Sequence, residues 1–150
     1  MSAVVGSLAL ALVLQSAPDC RADSAAVIGV RAVADGIVAA DNQRDLERVL
    51  GYYADDAWLM PPNAEPVRGR ASIRPRYEAL FAGFNPAIEG RIDEACVSGA
   101  TAFVRGHNGG QMRARSGAAS RDLDDSYLML LRIDASGRWR ISHLMWHSAH

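Results

Sequence analysis

The sequence has almost no net charge, almost no cysteine and no apolar run long enough to cross a bilayer. Against 17 acidic residues stand 16 basic ones, leaving a net charge of -1 over 150 residues. No overall field therefore draws the chain to nucleic acid or to an anionic membrane. The arginines lack the aromatic interleaving of a single-strand binding stripe. Cysteine occurs twice, as Cys20 and Cys96, with no CxxC or Cys/His grouping, so no zinc ligand set is present. No glycine-rich loop leads into a helix and a lysine, and no nucleophile elbow appears. The expectation is no metal, no cofactor and no nucleic-acid partner. Internal repeats and interdomain linkers are absent too.

What is present is globular. Hydrophobic residues make up 49% and charged residues 22%, which excludes wholesale disorder and fits one domain with its own core. Val4 to Leu14 is an apolar run followed by small residues, including Ser16-Ala17 and Cys20-Arg21-Ala22. That pattern predicts a secretory leader cleaved near Ala22, hence a periplasmic or secreted protein with no stable membrane insertion once mature. No Lys or Arg precedes the run, so an N-terminal extension on a cytoplasmic protein is the alternative. The expected division is 1–22 as leader or extension and 23–150 as the domain. In an oxidising compartment Cys20 and Cys96 can pair. If Cys20 leaves with the leader, Cys96 is a lone core thiol.

Along the chain the periodicity turns helical at Ala25. Val27, Val30, Ala34, Ile37, Val38 and Asp41 follow the helix period, with Asp23 or Ser24 as cap. Asp41-Asn42 is read as an interruption, with Asn42 capping a second helix whose stripe is Leu46, Val49, Leu50 and Tyr53. Ala54-Asp55-Asp56 reads as a turn and Ala57–Met60 as a short strand, ended by Pro61-Pro62. Ser72 is the expected cap of a third helix burying Ile73, Tyr77, Leu80 and Phe81, with Pro75 in its first turn. Arg68, Arg70, Arg74 and Arg76 read as a solvated surface. Strands follow near 87–97, 101–108, 123–134 and 138–147. Gly109-Gly110 opens a polar loop that the alternation of Arg113 and Arg115 can turn into a strand extension. Helices followed by an antiparallel meander predict an α+β fold.

Three segments carry a resemblance. Tyr52-Tyr53-Ala54-Asp55-Asp56-Ala57-Trp58-Leu59-Met60-Pro61-Pro62, Val67-Arg68-Gly69-Arg70-Ala71-Ser72-Ile73 and Gly137-Arg138-Trp139-Arg140-Ile141-Ser142-His143-Leu144-Met145-Trp146-His147-Ser148 resemble SnoaL-like and ketosteroid-isomerase-like proteins. The resemblance spans about residues 25 to 148. It implies a nuclear-transport-factor-like cone: three N-terminal helices packed on a strongly curved antiparallel sheet around an internal pocket. It also implies a homodimer formed through the outer sheet face. The group includes isomerases, cyclases, dehydratases and members with no known reaction, so the fold does not choose a chemistry.

The isomerase's own site is mostly missing. Its carboxylate base falls on Pro61 and its helix tyrosine on Ile37, while Asp125 matches its protonated aspartic acid. A standard ketosteroid isomerase is therefore excluded. Strand alternation from Asp125 turns Tyr127 and Met129 toward the hollow, and the family register adds Ser142, Leu144, Trp146, Val104 and Gly106. Ile37, Tyr53, Tyr77 and Phe81 approach from the helices. These side chains line a pocket for a small hydrophobic or semi-polar ligand, or else simply fill a core. Asp125 and Tyr127 are the candidate catalytic groups; the bland alternative for Asp125 is an ion pair with an arginine such as Arg121. Arg74 and Tyr77 are candidates to hold a polar substrate end. In this register His107, His143 and His147 face outward, and His150 carries no information. A one-residue slip makes His143 the alternative general base.

Three functions fit. The first is an exported small-molecule-binding protein with no assigned reaction. The second is a cofactor-independent isomerase, cyclase or lyase, and the third is a structural dimer with a vestigial cavity.

Overall fold

A computed structural model describes residues 17–148 of the protein. The apolar run at Val4–Leu14, Ser16 and His150 lie outside the described residues. Three helices pack on one face of an open seven-stranded sheet: α1 (Ala25–Gln43), α2 (Leu46–Tyr52) and α3 (Arg70–Gly83) against β1 (Tyr53–Met60), β2 (Val67–Arg68), β3 (Phe84–Ser98), β4 (Thr101–Ala114), β5 (Arg121–Asp122), β6 (Asp125–Ile133) and β7 (Trp139–Ser148). The strand order is β2-β1-β7-β6-β4-β3, with β5 on β4. The fold is the expected α+β arrangement, but the sheet is mixed, because β1 runs parallel to β7. The antiparallel β3–β4 pair has a register break between Ile92 and Glu94, which helps such long strands to bend.

The buried stripe of α1 is Val27, Val30, Val33, Ala34, Ile37 and Ala40. It packs mainly on β3, and more lightly on β4 and β7. Ser24 caps its start by accepting from the Val27 N–H. Asp41-Asn42 does not interrupt this helix. It runs to Gln43 and ends where Arg44 turns left-handed, at φ 53°. Nor does Asn42 cap α2, a role taken by Asp45, which accepts from the Arg48 N–H. The Asn42 carboxamide instead clasps β3, donating to the Ile88 carbonyl at 2.9 Å and accepting from its N–H at 2.7 Å. Strand β3 is a sheet edge, and this clasp satisfies backbone groups that the ladder leaves open.

Helix α3 starts at Gly69 rather than at Ser72. Gly69, at φ 90°, turns the chain, and its carbonyl accepts from the Ser72 and Ile73 N–H groups. Pro75 therefore sits in the second turn, not the first. Ala54-Asp55-Asp56 lies within β1, because Tyr53 and Trp58 to Met60 follow the edge of β7 around a register break. Strand β4 runs on to Ala114, so Gly109-Gly110 opens no loop.

The N-terminal segment joins the sheet. Asp19 and Val97 exchange two backbone hydrogen bonds of 2.8 Å, and Cys20 is disulfide-bonded to Cys96. Cys96 is thus not a lone core thiol, and cleavage after Ala22 would cut away the half-cystine that holds this segment.

Candidate active site

A cavity of about 270 Å³ lies between α1, α3 and the helix-covered face of the sheet. That lies near the lower end of small-ligand sites, about 300–1,000 Å³. Alternation along one stretch of chain brings Arg121, Leu123, Asp125 and Tyr127 to it. The antiparallel partner β7 adds Leu144 and Trp146, which sit opposite Met129 and Tyr127. Helix α3 contributes Arg76, Tyr77 and Leu80, and β1 contributes Leu59 and Pro61. The walls are mostly apolar, interrupted by Asp41, Asn108, Asp125 and the two arginines Arg76 and Arg121.

One of those polar groups is unexpected. Asp41 sits at the end of the α1 stripe, one residue before the Asn42 clasp, and lines the cavity. The residue is partly exposed as a whole, but its Oδ1 is enclosed and has no hydrogen-bond partner. Burial disfavours the carboxylate and pushes its pKa from 3.8 up to about 8. Asn108 Oδ1, also on the cavity, is the second enclosed polar atom without a partner. Native interiors rarely leave such atoms unsatisfied, and two at one cavity mark where a ligand's polar groups can bind.

The tyrosines are arranged to donate. The Tyr53 and Tyr77 hydroxyls are 2.8 Å apart, and both rings are buried. Burial raises both phenols above their ordinary pKa, with Asp41 close enough to add to the effect. Burial likewise pushes Tyr127 up to about 12, with Asp35 and Asp93 adding to it. All three remain protonated through the physiological range.

The sequence-derived candidates divide. Asp125, Tyr127, Tyr77, Leu144 and Trp146 line the cavity. Asp125 is 7% exposed, and its Oδ1 accepts from the Ser148 hydroxyl at 2.6 Å, with no ion pair to Arg121. Ile37, Tyr53, Phe81, Val104 and Met129 belong to the hydrophobic core and do not line the cavity. Gly106 is not a wall either. A Cβ there would lie 2.6 Å from the Tyr127 hydroxyl, so this glycine makes room for that ring.

Ser142 was expected inside and is not. The β6–β7 register shifts between Leu130 and Leu131, which pair with His143 and Ile141, so Ser142 is the extra residue of a bulge. Its hydroxyl donates to the Leu130 carbonyl, and it lines a separate hollow of about 450 Å³ beside the disulfide. His143 lines that same hollow, with Nδ1 3.1 Å from the Ser142 hydroxyl, and does not reach the cavity. Arg74 is held by Glu47 through contacts of 2.7 and 3.0 Å, away from the cavity. His107 pairs with Asp124 at 3.1 Å.

Sequence reading missed Asp41 and Asn108. Asp41 falls in register with Val27, Val30, Ala34 and Ile37, and an acid on a buried stripe is a signal that it was read through. Arg76 is exposed, as expected of the solvated arginines, but it also lines the cavity.

Residues 17–141 match the model of the SnoaL-like domain. The chain belongs to the SnoaL-like domain family. No curated protein matches its sequence significantly. Among solved structures, this SnoaL-like domain is similar to a ketosteroid isomerase-like protein from Erwinia carotovora atroseptica, with a TM-score of 0.79 and 23% identity over 85% of this chain and 98% of that one. An NTF2-like protein of unknown function from Pseudomonas putida follows at 0.67 and 17%, covering 81% and 85%. A proposed scytalone dehydratase from Novosphingobium aromaticivorans aligns at 0.71 and 13%, covering 82% and 83%. At these identities the likeness concerns the fold.

Proposed function

We propose that this SnoaL-like protein binds a small, largely apolar organic molecule in the cone and catalyses proton transfer on it without a cofactor, as an isomerase or dehydratase-type lyase. The observation that carries the reading is the Asp41 carboxyl, which lies on the cavity with its Oδ1 enclosed and unpartnered and its pKa pushed up to about 8. A pure binder gains nothing from a buried acid whose ionisation opposes folding, whereas acid–base catalysis works best with a pKa near the operating pH. Neighbours of the same fold named as a ketosteroid isomerase-like protein and a proposed dehydratase are in keeping with this class.

In this reading protonated Asp41 first gives its proton to an enolising or departing oxygen of the substrate. The carboxylate so formed then takes the proton from the α-carbon, restoring the acid. With a carbonyl oxygen protonated this leaves an enol, which is reprotonated at another carbon in an isomerase; with a β-hydroxyl protonated the C–O bond breaks, water leaves and the enone remains. Tyr77, held by Tyr53, donates a hydrogen bond to the substrate oxygen. Asp125, fixed by Ser148, orients a hydroxyl. Turnover then falls as pH rises through about 8.

The test is a panel of cyclic β-hydroxy ketones, followed by enone absorbance and by α-deuterium uptake in D2O. Wild type should accelerate at least one compound, and Asp41→Asn should not. Equal rates in both proteins would sink the reading.

The disulfide favours an exported protein, because such bonds persist in oxidising compartments. A homodimer through the outer sheet face is part of the same proposal. Met145, 38% exposed, lies opposite Leu128 on β6, and His143 lies opposite Leu130.

A further inference from the structure

We propose that the cavity's ligand is a small organic acid, an apolar body bearing one carboxylate, with Arg76 and Arg121 receiving the charged end. The inference rests on the reading of the cavity as a ligand site and adds the ligand's charge.

Arg76 and Arg121 both line the cavity, from α3 and from β5. Both residues are exposed, so they stand at the mouth rather than in the core. Among the described residues neither makes an ion pair. The contrast along α3 is direct, because Arg74 is forked onto Glu47 while Arg76 has no carboxylate partner.

On β5 the intervening Asp122 is engaged by Gln111 at 2.9 Å rather than by Arg121. Asp125, the nearest acid on the alternating stretch, accepts from Ser148. Two guanidinium groups on one apolar hollow therefore keep their donor forks available. Planar N–H forks match a carboxylate's two oxygens, and the apolar walls match an apolar body. Asp41 is mostly uncharged below pH 8 and so offers such an anion little repulsion.

The experiment uses two probes of nearly equal shape, 2-naphthoate and its neutral counterpart 2-acetonaphthone, titrated into the full chain by calorimetry at pH 7 and low salt. Naphthoate should bind about tenfold more tightly, since charge-assisted hydrogen bonds at an exposed mouth are worth about one order of magnitude. Arg76→Gln with Arg121→Gln should erase that advantage and leave the ketone's affinity unchanged. Both positions are exposed, so the double variant should fold; its circular dichroism and Tm check this. Ala64→Trp, which fills the mouth, should weaken both probes and locates binding in the cavity.

Equal affinities in wild type, or a naphthoate advantage that survives the double substitution, would overturn the inference while leaving the cavity reading intact. Failure of both probes to bind, or binding untouched by Ala64→Trp, would overturn the cavity reading and the inference with it.

Discussion

Replacing Asp41 by Asn should make the protein more stable at neutral pH while abolishing its proposed chemistry. In the folded chain the carboxyl titrates near 8, against 3.8 for an unburied aspartate. The folded state therefore holds a proton that the unfolded chain has lost. With the folded pKa raised, the stabilising contribution is complete below about pH 4 and drains away as pH rises to about 8. Across that window stability should fall by about 1.4 kcal/mol per pH unit. By pH 7, some three units above 3.8, the loss is about 4 kcal/mol. Asparagine removes this titration. Its amide N–H2 finds no partner in the same spot, at a cost of about 1–3 kcal/mol, so the net gain at pH 7 is about 1–3 kcal/mol. Urea unfolding at pH 5, 6, 7 and 8 measures both quantities. The slope is the sharper test, because wild type should lose stability steadily and Asp41→Asn should lose about 1.4 kcal/mol per unit less. Parallel slopes, or a variant less stable than wild type at every pH, would refute the reasoning.

Other outcomes follow from the same structure. Tyr53→Phe and Tyr77→Phe should each cost about 1–3 kcal/mol, by leaving the other buried hydroxyl unpaired, and the double variant should cost clearly less than the sum. Gly106→Ala should lower stability by about 2–3 kcal/mol or more, because the added methyl meets the Arg91 carbonyl and the Tyr127 hydroxyl; a Tm scan reads this. Reducing the Cys20–Cys96 bond, which spans 76 residues of chain, should cost about 2–4 kcal/mol in denaturant titrations. His143→Ala should leave turnover on any accepted β-hydroxy ketone unchanged, since the ring lies outside the cavity.

The parts of the fold legible in the sequence are those set by local periodicity. The α1 stripe, the Pro61-Pro62 stop and the alternation from Asp125 through Tyr127 all reflect one chain segment meeting one environment. Three features were not legible because they depend on segments far apart. The parallel β1–β7 junction requires knowing which strand lies beside β1. The bulge that moves Ser142 out of phase requires the cross-strand register of β6 and β7. Asn42 reads as a cap because its carboxamide usually binds locally, whereas here it reaches Ile88, 46 residues away.

The site divides in the same way. Asp125 and Tyr127 follow from strand phase, and Leu144 and Trp146 from the family register. The wall list was too long, because Ile37, Val104 and Met129 share the inner face yet pack against other side chains instead of the hollow. Asp41 was overlooked because a lone acid near a helix end is more often a solvated stop than a buried group.

The account stands most directly on the ionisation of one side chain. Carbon-13 NMR of aspartate-labelled protein, with Asp41→Asn used to assign the resonance, follows that carboxyl from pH 4 to pH 9. A midpoint near 8 is the expected result. A midpoint near 4 would mean that the carboxylate is already charged and solvated at neutral pH, and the acid–base assignment would fall.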